Sequence, residues 1–129
     1  MPRLPSRLKN KARIQAYWKG HRGEALAAWF LRAKFYHILA RRFKTPVGEI
    51  DLIAEHFGVT VFVEVKARSK VSAEVETLEG IRQDRITRAA QSWLARNPRH
   101  AKANLRFDVI FLAPGHWPRH ISNAFDASP

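Results

Sequence analysis

Two apolar segments joined by a very short loop constrain this chain more than any other feature. Residues 47–55, VGEIDLIAE, and residues 59 to about 67, VTVFVEVKA, are separated by HFG at 56–58. Both segments are rich in β-branched residues, and such short spacing is typical of an antiparallel hairpin. Because side chains alternate between the faces of a strand, one face of the first segment carries Glu49, Asp51 and Ile53 and the other carries Ile50 and Leu52. We therefore expect a β-hairpin at the centre of the chain.

Periodic patterns on both sides of the hairpin predict the other elements. A helix begins near Arg22, and its inward stripe carries Glu24, Ala27, Ala28 and Leu31. A second helix ends at about Asn97, and its apolar stripe is Ile86, Ala89, Ala90, Trp93 and Leu94. The first strand is predicted at residues 35–43, and the last strand is predicted from Arg106 onward. After Pro114 the sequence shows no regular period. The order α-β-β-β-α-β predicts an α/β fold in which helices flank a mixed β-sheet.

The length of 129 residues suits a single domain. Residues 1–20 contain six basic residues and no acidic one, and they are interpreted as a basic N-terminal arm. Residues 21–113 form the predicted domain, and residues 114–129 form a C-terminal tail. Within the arm, Trp18 is a candidate for stacking on a nucleobase.

A formal net charge of +12 indicates a polyanionic partner, most often nucleic acid. An anionic membrane surface and simple solubility are the alternatives. No stretch approaches the ~18 apolar residues of a membrane span, and no apolar signal-peptide core follows the basic N-terminus. We therefore expect a cytoplasmic protein with no membrane partner.

Several kinds of site are excluded or disfavoured by residue type. The chain has no cysteine, which excludes disulfides, thiolate zinc sites and cysteine nucleophiles. The six histidines show no metal-binding spacing and are interpreted as structural or solvated. The serines lie in no nucleophile-elbow context.

Folding the hairpin about residues 56–58 places Asp51 opposite Glu64, or within one residue of it. Cross-strand neighbours lie about 5 Å apart, so the two carboxylates repel unless one is protonated or a cation bridges them. Mg²⁺ and Mn²⁺ prefer such hard oxygen ligands. Lys66 lies on the same face as Glu64, where its ammonium can contact a phosphate. These groups suit phosphodiester hydrolysis; the alternative is a Glu–Lys ion pair on a solvated sheet face.

The motifs GEIDLI at 48–53 and VFVEVKAR at 61–68 resemble the YraN-like family of small bacterial proteins. The resemblance continues in GE at 23–24, in IRQDRITRAAQSWL at 81–94 and in RFDVI at 106–110. That family is similar to the restriction-endonuclease-like superfamily, the PD-(D/E)xK nucleases, and within it to archaeal-type Holliday junction resolvases. The fold that the resemblance implies is the αβββαβ core already indicated by the pattern.

The resemblance also implies roles for the hairpin residues. By similarity, Asp51 and Glu64 would be metal ligands for Mg²⁺ or Mn²⁺, and the carbonyl of Val65 would be a third. Lys66 would be the catalytic lysine.

Two further residues enter by the same resemblance. Glu24 matches a helix carboxylate that often completes such sites. Gln83 matches a polar position on the second helix that can face the site, although packing at the edge of the buried stripe also accounts for it.

The function expected from these features is that of a metal-dependent endonuclease acting on DNA, including branched or damaged DNA. One alternative is a nucleic-acid-binding module that has the nuclease fold without useful turnover. Another is a protein-interaction partner whose carboxylates balance a basic surface. Junction-cutting relatives act as dimers, so the resemblance also implies a homodimer.

Overall fold

The computed structural model describes residues 21–67 and 81–125. In chain order the elements are α1 (His21–Ala33), β1 (His37–Thr45), β2 (Gly48–His56), β3 (Val59–Ala67), α2 (Gln83–Arg96), β4 (Asn104–Leu112) and β5 (Arg119–Phe125). A short 3₁₀ helix, Pro98–His100, follows α2. Neither α1 nor α2 is long and apolar enough to cross a membrane.

The strands form one five-stranded mixed sheet in the order β1-β2-β3-β4-β5. β1, β2 and β3 make the predicted antiparallel meander. β3 and β4 are parallel, and α2 lies in the connection between them, as parallel neighbours require a crossover. The predicted α/β architecture, with helices flanking a mixed sheet, is confirmed and is consistent with a restriction-endonuclease-like core.

Both faces of the sheet are covered, so the molecule has two apolar layers. On the first face, Ile86, Ala89, Ala90 and Trp93 of α2 pack on residues that include Phe62 and Phe107. On the opposite face, Ala27, Ala28 and Leu31 of α1 pack on residues that include Leu52, Val61 and Val63. The two helical stripes predicted from the sequence are therefore the stripes that face the sheet.

The C-terminal part of the chain departs from the prediction. No regular element was expected after Pro114, but residues 119–125 form β5, which pairs with β4 in antiparallel fashion. The described part of the predicted tail therefore belongs to the same sheet as the domain. A bulge between Phe107 and Val109 interrupts the pairing, and Asn123 has a left-handed φ of 54°. Such irregularity explains why the segment shows no period-two pattern.

The predicted basic arm, including Trp18, lies outside the described residues. Its proposed contacts with nucleic acid therefore stay predictions.

Candidate nuclease site

The β2–β3 hairpin decides which carboxylates meet. The turn consists of Phe57 and Gly58, whose φ angles of 47° and 80° both lie in the left-handed region. This is the backbone of a tight hairpin turn. The pairing reaches Leu52 opposite Val63. Beyond this pair come Asp51 on β2 and Glu64 on β3, whose side chains are within hydrogen-bonding reach of each other. This is one of the two arrangements that the sequence predicted.

The backbone ladder between β2 and β3 opens at Asp51. The Oδ2 atom of its side chain accepts a hydrogen bond from the backbone N–H of Val65 at 2.7 Å. A side-chain carboxylate thus takes the place of a backbone acceptor at this point. The bond ties Asp51 to the strand that carries Glu64 and Lys66.

The alternation of side chains slips by one residue at the same level. Ile50 packs in the cluster on the α2 face together with Ile53, whereas Leu52 packs in the cluster on the α1 face. The expectation that Ile50 and Leu52 share a face is therefore wrong. Asp51 lies at the slip between them.

The neighbouring strand shows the matching irregularity. On β1, Arg41 pairs with Leu52 and Phe43 pairs with Ile50, so the intervening Arg42 lies level with Asp51. Arg42 has φ of 52°, a left-handed backbone that costs a non-glycine residue roughly 1–2 kcal/mol. Strain of this kind concentrates where a fold positions functional groups. Here it accompanies the local twist that places Asp51 beside Glu64.

The two carboxyl groups are close enough to share a hydrogen bond, and their ionisation is linked. Burial, and then the charge of Asp51, raise the pKa of Glu64 to about 8, against the lowering effect of Lys66. Burial also raises the pKa of Asp51, although the N–H of Val65 opposes the shift. At neutral pH and without a cation, the pair of carboxyl groups therefore favours retaining a proton.

Lys66 completes this cluster. Its Nζ lies 3.5 Å from Oε1 of Glu64, and both side chains face an open cleft of about 390 Å³. The cleft is lined by Lys44, Thr45, Gly48, Glu49, Glu64, Lys66, Ile81, Arg82, Arg85 and Ile86. Four of these side chains are basic, so the carboxylate pair lies in surroundings that suit a phosphate backbone.

Gly48 explains how α2 approaches the site so closely. A Cβ atom at this position would lie 2.5 Å from the carbonyl oxygen of Arg85, which is closer than real Cβ contacts allow. The glycine of the GEIDLI motif therefore lets the start of β2 pass directly against the backbone of α2. Arg85 is brought to the cleft as a result.

Glu24 is buried, with 5% of its surface exposed. Its Oε1 accepts a hydrogen bond from Nε of Arg41 at 2.6 Å, and its Oε2 lies 3.5 Å from Nε of Arg42. Two arginines of β1 thus engage this carboxylate, and one of them is level with Asp51. The assignment of Glu24 as a site residue stays a prediction, with its link to Asp51 running through Arg42.

Gln83 is the first residue of α2, and its side chain is exposed. Packing at the edge of the buried stripe therefore does not account for it. The residues of this region that line the cleft include Arg82 and Arg85, on either side of Gln83. The role of Gln83 in the site stays a prediction.

A second charged cluster was not anticipated from the sequence. Asp108 of β4 is fully buried and accepts two hydrogen bonds from Arg106, at 2.8 Å each. Nε2 of His120 lies 2.7 Å from its Oδ2, and the N–H of Asn123 donates to its Oδ1. Arg106 also donates to the hydroxyl of Tyr36 at 2.7 Å. The spacing of Arg106 and Asp108 on one strand face was the available signal, but their partners lie in elements distant in sequence.

The donor set of the carboxylate pair fits a hard divalent cation. Mg²⁺ is usually held by one or two carboxylates and keeps several waters. Within residues 21–67 and 81–125, no three His, Cys, Asp or Glu side chains gather as a metal cluster, and the assignment of Asp51, Glu64 and the carbonyl of Val65 as metal ligands stays a prediction. Burial, and then the charge of Asp51, raise the pKa of Glu64, and a bound cation would offset the second of these effects.

Comparison with known proteins agrees with the motifs. The model of the uncharacterised protein family UPF0102 matches residues 23–112. A UPF0102 protein of Rhodopseudomonas palustris (strain BisB5) is 48% identical over 127 residues, which are 98% of this chain and 97% of that protein. A UPF0102 protein of Chelativorans sp. (strain BNC1) is 49% identical over 116 residues, or 90% of this chain and 94% of that protein. This chain therefore belongs to the uncharacterised protein family UPF0102, the YraN-like family that its motifs indicated.

Proposed function

We propose that this protein is a Mg²⁺- or Mn²⁺-dependent endonuclease that hydrolyses phosphodiester bonds in DNA, including branched or damaged DNA. The observation that carries the proposal is that Glu64 and Lys66 line a basic cleft while Asp51 is held beside Glu64. A structural ion pair accounts for Glu64 and Lys66, but it leaves unexplained why a second carboxylate is held against Glu64 in a half-buried position.

In this proposal Asp51, Glu64 and the carbonyl of Val65 hold the cation. When bound, a divalent cation at such a site activates water and offsets the negative charge of the reacting phosphate. The hydrogen bond from the N–H of Val65 orients Asp51 before any ligand binds. A cation held there would offset the repulsion between Asp51 and Glu64 and would therefore favour the ionised form of Glu64.

Lys66 stabilises the negative charge that develops on the scissile phosphate, because its ammonium lies beside Glu64 at the mouth of the same cleft. Lys44, Arg82 and Arg85 line the cleft and bind the flanking phosphates, which positions the duplex without reading its sequence. Gln83, exposed between two of these arginines, contacts the substrate.

Glu24 acts on the carboxylate pair indirectly, through other residues. Its ion pairs hold Arg41 and Arg42, and the left-handed backbone of Arg42 belongs to the slip that positions Asp51. We therefore propose Glu24 as a positioning residue for the carboxylate pair.

The test is cleavage of linear, nicked and four-way DNA with Mg²⁺ or Mn²⁺. The parent protein should cut at least one of these substrates. Asp51→Asn, Glu64→Gln and Lys66→Ala should each lower the rate on the order of a hundredfold or more, since each removes a group used in the transition state. Glu49→Gln is the matched control, because Glu49 lines the same cleft and is exposed. A Lys66→Ala protein that cuts like the parent would contradict the proposal.

One observation favours a second candidate, a nucleic-acid-binding module without turnover. The third carboxylate implied by the resemblance, Glu24, is already engaged by two arginines. This candidate predicts tight DNA binding with no cleavage of any substrate at any Mn²⁺ concentration, and DNA affinity that Lys66→Ala barely changes.

A further inference from the structure

The end of the sheet away from the carboxylates carries two exposed aromatic rings. Phe35 follows α1 just before β1 and is 83% exposed, and Phe57 in the β2–β3 turn is 86% exposed. His37, near the start of β1, pairs with Glu55, near the end of β2, so the two phenylalanines lie at the same end of the sheet. Five residues of β3 separate this end from Glu64, which is about 17 Å of strand.

Both rings stand on unfavourable backbone. Phe35 has φ of 69° and Phe57 has φ of 47°, in the left-handed region where glycine or asparagine is usual and a bulky residue is an outlier. Neither ring gains burial in exchange, since both are almost fully exposed. Folding stability therefore does not explain these residue types, whereas a ligand that contacts the rings does.

A stacked pair of rings lies beside Phe57 and includes the residue next to Phe35 in sequence. Tyr36, next to Phe35, stacks on His56 with ring centroids 3.8 Å apart and planes 5° apart. His56 in turn contacts the ring of Phe57 at 4.4 Å. Arg106 holds the Tyr36 hydroxyl at 2.7 Å, so the inner pair of rings is rigidly placed. We call Phe35, Tyr36, His56 and Phe57 the aromatic end.

The surroundings of the aromatic end are positively charged. Exposed Lys and Arg residues lie in the segments that meet at this end: Arg32 in the last turn of α1, Lys34 between α1 and β1, and Arg99 and Lys102 before β4. Nζ of Lys34 lies 2.7 Å from Nδ1 of His120. Among the described residues, Glu55 is the one carboxylate at the strand ends on this side of the sheet, and it lies 3.5 Å from His100. Burial, and then the charge of Arg106, lower the pKa of His56, which agrees with a positive potential here.

We propose that the aromatic end binds a single-stranded segment of nucleic acid, with bases stacked on Phe35 and Phe57 and phosphates held by the flanking basic side chains. Exposed rings combined with cations are the pairing used by proteins that bind single strands without sequence preference. A protein partner is less well matched, because the aromatic end is small and lies among charges that such a partner would have to desolvate. The inference rests on the proposed function in naming nucleic acid as substrate, and it adds that the substrate has an unpaired strand.

The test is binding of a labelled oligothymidylate of about 16 nucleotides, measured in EDTA so that no cleavage occurs. The variant Phe35→Leu/Phe57→Leu keeps apolar side chains but removes the aromatic faces, and we expect its affinity to fall about fivefold or more. The variant Phe35→Tyr/Phe57→Tyr keeps the aromatic faces and should bind within about twofold of the parent. Trp29→Leu is the control, since Trp29 is another exposed aromatic residue, 58% exposed on α1. Affinity for blunt duplex DNA should be the same in all four proteins.

Equal oligothymidylate affinity in the parent and the leucine variant overturns the inference. So does a parent protein that self-associates in analytical ultracentrifugation while the leucine variant does not, because the rings would then be a contact between copies of the chain. Thermal melts show whether each variant is folded, and the tyrosine variant separates loss of stacking from loss of fold. Failure of the nuclease proposal is distinguishable, since it concerns cleavage with metal while this binding is measured without it.

Discussion

At the scale of single residues, this protein holds two kinds of buried charge with opposite effects on stability. Asp51 and Glu64 face each other, and the pKa of Glu64 rises to about 8 because burial and the neighbouring carboxylate disfavour its charge. Asp108 has the opposite surroundings, with partners on every side. The first arrangement lowers the stability of the folded protein when both carboxyl groups are ionised, and the second stabilises the fold.

The carboxylate pair predicts a pH dependence in the protein freed of metal. An acid whose pKa is raised on folding binds more protons in the folded state, so stability falls as pH rises from about 4.5 through about 8. Glu64→Gln cannot lose a proton and should gain about 2–4 kcal/mol over the parent above pH 8, with little difference below pH 5. Urea unfolding between pH 5 and 9 with a chelator measures this. Parallel curves for the parent and Glu64→Gln would count against linked ionisation of the pair, and Glu55→Gln, at a carboxylate that is 40% exposed, serves as the control.

Asp108 predicts the reverse dependence. Burial opposes its ionisation, but hydrogen bonds from His120 and Arg106 outweigh burial and lower its pKa. Its stabilisation is therefore present above the unfolded pKa of about 3.9 and is lost as pH falls through the folded value. Asp108→Asn should lower the free energy of unfolding by about 3–5 kcal/mol at pH 7, because it leaves Arg106 without its partner.

Chemical denaturation at pH 7 and pH 3 checks the Asp108 prediction. The deficit of Asp108→Asn should shrink at the lower pH. Glu55→Gln is the control, since that carboxylate is 40% exposed in its ion pair and should cost less than about 1 kcal/mol. A deficit in Asp108→Asn no larger than that of Glu55→Gln would refute it.

At the scale of elements, two close approaches shape the cleft. Gly48 lets β2 run against the backbone of α2, and the side chain of Asp51 joins β2 to β3 where their ladder opens. Both contacts involve the same short stretch of β2. A change there should affect stability and the site together.

Gly48→Ala tests this. The added Cβ would lie 2.5 Å from the carbonyl oxygen of Arg85, so β2 or α2 must shift. We expect a loss of about 1–3 kcal/mol in unfolding free energy, as for overpacked positions, together with weaker Mn²⁺ binding by calorimetry. Gly115→Asn is the control, because its position is open and asparagine tolerates its φ of 75°. Equal stability of the two variants would show that α2 does not press on β2.

At the scale of the whole molecule, basic residues gather in two regions of the surface. The cleft with the carboxylates and the aromatic end are both flanked by basic side chains, at opposite ends of the sheet. A nucleic acid that reaches both would contact many phosphates. Its affinity should then depend strongly on salt.

The cleft arginines should account for part of that dependence. Arg82→Ala/Arg85→Ala should weaken duplex DNA binding across unrelated sequences and reduce the slope of log affinity against log salt by about 2, since each phosphate that is no longer neutralised lowers the slope by roughly 0.9. Arg88→Ala is the matched control, since Arg88 is exposed on α2 but does not line the cleft. If the slope of log affinity against log salt is unchanged in the double variant, duplex DNA does not bind in this cleft.

Deleting residues 1–19 tests the basic arm in the same way. The arm's six positive charges should add phosphate contacts, so the deletion should flatten the salt slope and leave Mn²⁺ affinity unchanged. An unchanged slope with a large fall in melting temperature would indicate instead that the arm stabilises the domain.

Features that depend on residues close together in the chain were predictable from the amino-acid order. Alternating and helical periodicity predicted α1, α2 and the meander, and the short loop at 56–58 brought Asp51 to Glu64, because a tight turn leaves little freedom of register. The other features arise from packing between separate elements and were not predictable in this way. The slip at Arg42 and Asp51, the ion pairs of Glu24, the approach of α2 to Gly48 and the partners of Asp108 all join residues far apart along the chain. No local pattern records such contacts, because they arise only when separate elements pack against one another.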